Sequence, residues 1–292
     1  MNVGFAGFGE ASYSLAKGFI SEGLNNIKAY DVNVFNDEYN SLIKKRAEEL
    51  KIEVTDSYEG FFDDIDYVFV AVPAFVALDV CKVISNYIKE SCLYVDVSAS
   101  SPAIKSECKK ILEKNNVHYL DASMLGSLPK LKHKVPFYVS GKKAKKFIDD
   151  FKKYGMNITY VNEQPGSATS IKLIRSIFMK GLSALMTELV MASDSYDVSK
   201  YVLNSISDSM DGTSFISHLN RLVTGSAIHA KRRAFELGGS IEMLEEKNLN
   251  SLMSEATKKK LEILAAYDFS KVAEKDKKTW IDVVNVLKEE NK

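Results

Sequence analysis

Two glycines near the start of the chain, Gly7 and Gly9, have the spacing of a dinucleotide-binding turn. They follow the apolar run Val3–Ala6, and a helical pattern begins at Glu10. In such a turn the backbone approaches a pyrophosphate closely, and the N-terminus of the next helix faces the negative charge. The third glycine of the G-x-G-x-x-G pattern is replaced by Ser12. We predict that a dinucleotide contacts the following residues: Gly7, Phe8, Gly9, Glu10 and Ala11.

An acidic residue ends the second predicted strand, Ile27–Asp31. Asp31 lies 22 residues after Gly9, close to the separation of about 20 residues expected for a ribose-binding carboxylate. A carboxylate there accepts hydrogen bonds from the ribose hydroxyls and repels a 2′-phosphate, so the sequence predicts NAD in preference to NADP. A turn aspartate without a ligand, placed before Val32, is the structural alternative.

Two further loops are expected at the same edge of the sheet. The run Tyr67–Val72 is continuously apolar, as in a strand buried on both faces, and Pro73 ends it. Another strand, Leu93–Val97, precedes Ser98. Because ligands bind at the carboxyl ends of parallel strands, we predict that Val72, Pro73 and Ser98 contact the cofactor. The serines of this segment also make a good helix start, which is the structural alternative for Ser98.

The composition is that of an ordinary globular protein. Of the 292 residues 46% are hydrophobic and 27% are charged, and 39 basic residues balance 39 acidic ones. Neither a nucleic-acid partner nor a membrane surface is therefore expected. The three cysteines lack metal-ligand spacing, which predicts reduced structural thiols in a cytoplasmic protein without a metal site.

Two histidine-containing segments are predicted to be structural. His118 lies within the predicted strand Val117–Asp121, which favours a packed core histidine over a catalytic base. The basic run Lys130–Lys134, which includes His133, is expected to be solvated charge.

Strands alternate with helices as far as residue 164, and this order predicts a doubly wound, Rossmann-type parallel sheet. The last two strands, Phe137–Gly141 and Ile158–Val161, follow their neighbours closely, so a locally mixed sheet edge is expected. The rest of the chain predicts only helices, and the first, Gly166–Ser195, suits a long interdomain helix. We predict an α/β domain at 1–164 and an all-α substrate and dimerisation domain at 165–292. Because so long an apolar helix needs cover, we expect a homodimer.

The order of these parts resembles that of the β-hydroxyacid dehydrogenases, which include 6-phosphogluconate, 3-hydroxyisobutyrate and tartronate semialdehyde enzymes. That family combines the glycine turn and the strand ending in proline with a D-x-S…P segment, a D-A segment and a long helix carrying a lysine. Here the D-x-S…P segment is Asp96, Ser98 and Pro102, and the D-A segment is Asp121 and Ala122. The helices that follow resemble those of a less characterised branch of the family, whose C-terminal helical domain differs from that of the main family.

The resemblance implies a catalytic lysine on the long helix. The family pattern G-x-G-x-x-x-K-x-x-N-N places its lysine at Lys172 and its asparagines at Arg175 and Ser176. A positioned lysine of lowered pKa can accept the hydroxyl proton as hydride leaves the carbinol carbon, and can return it in the reverse reaction. Arg175 would place a fixed cation near a carboxylate or phosphate.

The substrate end of the predicted site departs from the family pattern. Where the family has D-A-P-V-S-G-G, this chain has Asp121–Ser127, and Leu125 replaces the serine that usually binds a substrate carboxylate. Ser123 or Ser127 could substitute for it. Arg232 could bind the substrate, or it could belong to a cluster of basic residues on the protein surface. We predict that a small substrate bearing a carboxylate or phosphate contacts the following residues: Ser123, Gly126, Ser127, Arg175, Ser176 and Arg232.

The combined prediction is an NAD-dependent oxidoreductase that transfers hydride between a nicotinamide cofactor and a small hydroxy acid, with Lys172 as general acid and base. Two alternatives stay open. An imine or pyrroline reductase of the same architecture is disfavoured by Lys172, because those relatives usually lack a lysine there. A non-catalytic NAD-binding module is favoured by the changes at Leu125, Arg175 and Ser176.

Overall fold

A computed structural model describes residues 1–36, 38 and 40–289. The chain divides into two compact units, Met1–Ile177 and Phe178–Lys292. The long helix Ser167–Ser195 enters both of them. The domain boundary predicted at residues 164 and 165 stays a prediction.

A single sheet lies in the described part of the first unit. Its strands are β1 (Val3–Ala6), β2 (Ile27–Tyr30), β3 (Glu53–Thr55), β4 (Tyr67–Val70), β5 (Leu93–Asp96), β6 (Tyr119–Met124), β7 (Phe137–Ser140) and β8 (Ile158–Tyr160). They are ordered β3-β2-β1-β4-β5-β6-β7-β8. Neighbouring strands are parallel except β6 and β7, which are antiparallel. The predicted mixed edge is therefore confirmed.

Helices connect the strands and form the whole second unit as far as the structure describes it. In the first unit they are α1 (Glu10–Ser21), α2 (Asn40–Leu50), α3 (Ala77–Ile84), α4 (Pro102–Glu113), α5 (Leu128–Leu131) and α6 (Ala144–Lys152). The long helix is α7, and the later ones are α8 (Ser199–Met210), α9 (Phe215–Ile228), α10 (Ala230–Glu246), α11 (Leu252–Leu264), α12 (Ser270–Ala273) and α13 (Trp280–Glu289). A Rossmann-type sheet followed by an all-helical region confirms the predicted fold class.

Both faces of the sheet are buried, which explains why its central strands are continuously apolar. Along β4, Tyr67 and Phe69 pack into one apolar layer, and Val68 and Val70 pack into the other. In the first layer the ring of Phe69 lies 5.6 Å from that of Phe19 on α1. The sheet is thus a rigid platform whose carboxyl edge can hold a site.

Two histidine predictions are wrong. His118 precedes β6, which begins one residue later, and its side chain is exposed instead of packed in the core. His133 is only 2% exposed, although it lies in a basic run. Its ring fits against α1 where Gly18 has no side chain, since a Cβ on Gly18 would lie 2.0 Å from the His133 Nδ1 atom.

The three cysteines are free thiols and are buried. Among the described residues, no helix combines the length and the hydrophobicity that crossing a lipid bilayer requires. In the same part of the chain, no three His, Cys, Asp or Glu side chains form a group suited to a metal ion.

Candidate functional site

The glycine turn has the geometry that a dinucleotide needs. Gly7 has a φ of +87°, and a Cβ there would lie 2.7 Å from the carbonyl oxygen of Ala71, so only glycine fits. Gly9 precedes α1, and a Cβ on Gly9 would meet no atom within 4 Å. The first backbone N–H groups of α1 therefore open onto free space, where a phosphate can approach them.

Ser12 stabilises this turn in place of the third glycine. Its buried hydroxyl donates a hydrogen bond to the carbonyl oxygen of Gly7. The small side chain still allows close packing of helix against strand, which is the role of the third glycine. The sequence pattern alone did not predict this hydrogen bond.

Asp31 has a structural contact that was not predicted. Its Oδ2 atom accepts a hydrogen bond from the backbone N–H of Phe8 at 2.7 Å, and its Oδ1 atom accepts one from Asn33 at 2.9 Å. The carboxylate thus ties the glycine turn to the end of β2. Each oxygen of a carboxylate can accept a second hydrogen bond, so Asp31 can also bind ribose hydroxyls.

A cavity of about 540 Å³ joins these elements at the carboxyl edge of the sheet. It brings together five predicted cofactor residues: Gly7, Gly9, Asp31, Val72 and Pro73. Its walls also include Tyr30, Tyr58 and Phe75, which the sequence did not single out. The rings of Tyr30 and Tyr58 stack at 3.7 Å, and Phe75 is 86% exposed. Phe75 follows Pro73 by two residues, and an aromatic residue at this place in a predicted cofactor loop was the signal that could have identified it.

Ser98 follows β5 and is almost fully buried. Its backbone N–H donates to the Oδ1 atom of Asp96 at 2.9 Å, and its hydroxyl lies 3.0 Å from that of Ser100. The Oδ2 atom of Asp96 accepts a hydrogen bond from the hydroxyl of Tyr119 at 2.7 Å. The loop after β5 is therefore fixed by buried hydrogen bonds.

Asp121 attaches the long helix to the sheet. Its Oδ2 atom accepts hydrogen bonds from the backbone N–H groups of Gly166 and Thr169, at 3.0 and 2.9 Å. The hydroxyl of Ser140 donates to the same oxygen at 3.3 Å. Burial raises the pKa of Asp121, against the opposing effect of the Lys105 ammonium. A carboxylate at a helix N-terminus also interacts favourably with the helix dipole.

Lys172 lies one turn beyond Thr169 on α7 and is partly buried. Burial lowers the pKa of Lys172, the Lys105 ammonium lowers it further, and the Asp121 carboxylate raises it. No described residue forms a hydrogen bond or ion pair with the Lys172 ammonium. A lysine of lowered pKa without a partner is suited to proton transfer.

The predicted substrate residues are distributed over several elements. Ser123 is buried on β6, and its hydroxyl donates to that of Thr169 at 3.4 Å. Gly126 and Ser127 are exposed in the loop after β6. Arg175 is exposed and Ser176 is half-buried on α7. In the second unit, the exposed side chain of Arg232 forms an ion pair with Glu236 on the same helix.

The parallel strands present the cofactor residues in a line along one edge. The edge runs from Asp31 after β2, through Gly7 after β1 and Pro73 after β4, to Ser98 after β5. Asp121 and the start of α7 follow at β6. Four strand spacings separate β2 from β6, or about 19 Å. The ends of these strands therefore lie along one edge of the sheet.

Comparison with known families agrees with this arrangement. Residues 2–162, more than half of the chain, match the model described as the NAD binding domain of 6-phosphogluconate dehydrogenase. The chain belongs to this family. Residues 193–264 match a model described as a domain of unknown function, DUF1932. The resemblance inferred from the sequence is thereby confirmed, including the separate character of the C-terminal helices.

One curated relative matches most of the chain, and another matches about a third of it. An uncharacterised 28.5 kDa protein of Methanothermus fervidus is 28% identical over 258 residues, which are 88% of this chain and 96% of its own length. A pyrroline-5-carboxylate reductase of Staphylococcus haemolyticus is 28% identical over 102 residues, but only 35% of this chain and 37% of that protein are covered.

Solved structures share the fold. A conserved protein described as structurally similar to 3-hydroxyacid dehydrogenases is 26% identical, has a TM-score of 0.61, and is matched over 91% of this chain and 97% of its own. An imine reductase of Myxococcus stipitatus in complex with NADP⁺ has a TM-score of 0.74 and 13% identity, with coverages of 98% and 100%. The chain therefore has an NAD(P)-binding, dehydrogenase-like fold related to both groups, and its family suggests an NAD(P)-dependent oxidoreductase.

Proposed function

We propose that this protein transfers hydride between NAD and a small hydroxy acid, with Lys172 as the general acid and base. One observation carries the proposal: a partly buried lysine of lowered pKa, without a partner among the described residues, lies one helical turn beyond the point where Asp121 of the sheet holds the start of α7. In its family, a nicotinamide cofactor supplies the hydride acceptor or donor when bound.

Lys172 is suited to the proton that accompanies the hydride. Removing hydride from a carbinol carbon requires that the hydroxyl proton leaves as well, and a neutral amine can accept it. Burial and the nearby Lys105 cation lower the pKa of Lys172, so its neutral form is present at lower pH than for an exposed lysine. In the direction of reduction, the protonated amine returns the proton to the carbonyl oxygen.

The backbone N–H groups at Phe8, Gly9, Glu10 and Ala11 would hold the pyrophosphate, and Ser98 would contact the nicotinamide ribose. The preference for NAD over NADP is supported by Asp31, whose carboxylate lines the cavity. Two cations of the neighbouring α2 are engaged with aromatic rings: Lys44 lies 5.8 Å from the ring centre of Phe35, and Arg46 lies 5.3 Å from that of Tyr13.

Substrate recognition is assigned to the residues after β6 and on α7. Gly126 and Ser127, which are exposed, would donate backbone or hydroxyl hydrogen bonds, and Arg175 would supply the cation for a carboxylate or phosphate. Ser123 is buried and its hydroxyl donates to Thr169, so its part in substrate binding stays a prediction. Ser176 lies beside Arg175 on the same helix. The part predicted for Arg232 in substrate binding stays a prediction.

A reductase of imines or of a pyrroline is the second candidate. The match to an imine reductase over nearly the whole chain and the partial match to a pyrroline-5-carboxylate reductase favour it. Lys172 argues against it, because those relatives usually lack a lysine at this helix position. The substrate panel of the test below distinguishes the two candidates.

The test is hydride transfer measured as the change in nicotinamide absorbance. The wild-type chain is offered NAD with a panel of 3-hydroxy acids and, separately, NADH with cyclic imines. We expect turnover of a hydroxy acid that falls by roughly 100-fold or more in Lys172→Met, and no change in Lys180→Met, which removes an exposed lysine of the same helix. Turnover of imines alone selects the second candidate. Tight NAD binding without any turnover selects a non-catalytic module.

A homodimer is also proposed, because apolar side chains on two helices are exposed in the part of the chain that the structure describes. Ile174 and Ile177 on α7 are 66% and 75% exposed, and Tyr201 on α8 is 76% exposed. Helix α8 buries none of its residues. Light scattering should give twice the chain mass, and a monomeric mass refutes the dimer.

The buried free thiols support the proposed cytoplasmic location.

A further inference from the structure

Lys105 carries a charge into the interior of the first unit. It lies in the first turn of α4, and its side chain is fully buried. Its ammonium lies 2.8 Å from the Oδ1 atom of Asp96 and donates to the backbone carbonyls of Asp96 and Ser98, at 3.1 and 2.9 Å. The Oδ1 atom of Asp121 is 3.6 Å away. Asp96 and Asp121 are register partners on β5 and β6, so one cation links the ends of both strands.

Asp121 connects this cation to the long helix. Its Oδ1 atom has no hydrogen-bond partner among the described residues, so Lys105 is the charge that stabilises that oxygen. Its Oδ2 atom holds the backbone N–H groups of Gly166 and Thr169. Lys172 follows Thr169 by about one helical turn. Lys105 is therefore connected to Lys172 through the carboxylate of Asp121 and one turn of α7.

Structural stability alone accounts poorly for this cluster. A neutral Ser, Thr or Asn can hold a helix N-terminus, and buried ion pairs are generally no more stabilising than apolar residues of similar volume. The cluster places one buried cation between two buried anions, Asp96 and Asp121. Among the described residues, the charged groups that act on Lys172 are Lys105, which lowers its pKa, and Asp121, which raises it.

We propose that Lys105 is a positioning residue: it fixes the carboxylate of Asp121 and thereby sets the place and the charge environment of Lys172. This inference rests on the proposed role of Lys172 as general acid and base. Lys105 is sealed from solvent, so it acts through Asp121 and does not touch the substrate.

The experiment needs neither cofactor nor substrate. Only a neutral lysine reacts with acetic anhydride, so the labelled fraction of Lys172, followed by peptide mass spectrometry over a pH series, gives its pH of half-reaction. In Lys105→Met, this pH should rise by roughly 1 unit because a neighbouring cation is lost. Hydrogen exchange in the peptide that contains Gly166 and Thr169 should become roughly fivefold faster, as expected when a helix-capping acceptor is weakened.

Two matched variants of α4 serve as controls. Lys109→Met removes a lysine that forms only a surface pair with Glu113, and neither readout should change. Leu112→Ala removes a buried apolar side chain without changing the charge, so it lowers stability but leaves the half-reaction pH of Lys172 at the wild-type value.

A second variant covers the case in which Lys105→Met does not fold. Lys105→Met combined with Asp96→Asn removes one anion together with the cation, and the oxygen of the new amide can still accept from Ser98. Asp96 is not among the groups that shift the pKa of Lys172, so the same rise is expected.

An unchanged half-reaction pH of Lys172 in either folded Lys105 variant overturns the proposal, and so does an equal rise in Leu112→Ala. Hydride transfer is measured separately. If Lys172→Met keeps full turnover while the half-reaction pH of Lys172 still depends on Lys105, the proposed function fails and the electrostatic link stands.

Discussion

Thr169 donates its backbone N–H to the carboxylate of Asp121 across a distance of 2.9 Å. This hydrogen bond holds the first turn of α7 at the end of β6, and Lys172 lies on the next turn. Because the sheet is packed on both faces, it positions Lys172 more rigidly than a loop could. The proposed general base therefore depends on a residue on another element, which does not itself need to contact the substrate.

Replacement of Asp121 should strongly destabilise the protein. Asp121→Ala leaves the buried Lys105 ammonium without one carboxylate and two helix N–H groups without an acceptor, so the free energy of unfolding should fall by about 3 to 5 kcal/mol. Asp121→Asn keeps one acceptor oxygen and should lose less. Urea denaturation measures both. The control Glu113→Ala removes an exposed carboxylate and should lower the free energy of unfolding by no more than about 0.5 kcal/mol. If Asp121→Ala costs as little as this control, Asp121 does not hold α7.

The two glycines of the turn should respond differently to alanine. Gly7→Ala forces a left-handed backbone and a contact with the Ala71 carbonyl, so stability should fall by about 1 to 2 kcal/mol. Gly9→Ala meets open space, so stability should stay within about 0.5 kcal/mol of wild type. Its methyl group points to where the pyrophosphate is proposed to approach, so NAD affinity should fall roughly tenfold. Calorimetric titration with NAD measures the affinity, and wild-type binding by Gly9→Ala contradicts the proposed position.

Asp31→Asn should shift the cofactor preference. The amide oxygen can still accept from the backbone N–H of Phe8, so the turn is retained, while the charge that repels a 2′-phosphate is lost. The ratio of NADP affinity to NAD affinity should rise about tenfold. Titration of each cofactor measures the ratio. The control Asp63→Asn replaces an exposed carboxylate that pairs with Lys89 and should leave the affinity ratio unchanged. If Asp31→Asn also leaves this ratio unchanged, Asp31 gives no basis for an NAD preference.

The strands and the long helix were predictable because their signals are local. Buried parallel strands are continuously apolar, and β4 has such a run ending before Pro73. The glycine spacing and an acid about 20 residues later follow from the shape of the cofactor turn. Lys172 was located through an ordered family pattern, since a single lysine in a helix is not distinctive.

The contacts that fix the site were not predictable, because they join residues far apart in the sequence. Asp31 bonds Phe8, 23 residues earlier, and Asp121 bonds Thr169, 48 residues later. Lys105 lies in an amphipathic helix, where a lysine usually marks the solvated face. Only the fold shows that its ammonium points inward to two carboxylates.

His133 should make the protein less stable in mild acid. Burial lowers its pKa below the ordinary histidine value of 6.5, Lys134 and Lys132 lower it further, and Glu22 raises it. The Nε2 atom of the ring lies 3.6 Å from a carboxylate oxygen of Glu22, beyond hydrogen-bond distance. As the pH falls through 6.5, the unfolded chain binds a proton at this position while the folded chain does not. The free energy of unfolding therefore decreases with falling pH until the folded-state pKa is passed.

The variant His133→Met isolates this effect, because methionine can fill an irregular apolar space without titrating. Urea denaturation at about pH 8 and about pH 5 gives the acid-induced loss of stability for each protein. The wild type should lose more stability than His133→Met, because only the wild type has a buried imidazole whose pKa is lowered. His229→Gln, at an exposed histidine, should show the wild-type loss. If His133→Met loses as much stability as the wild type, acid sensitivity must come from other groups, because the buried imidazole is the titrating group that this substitution removes.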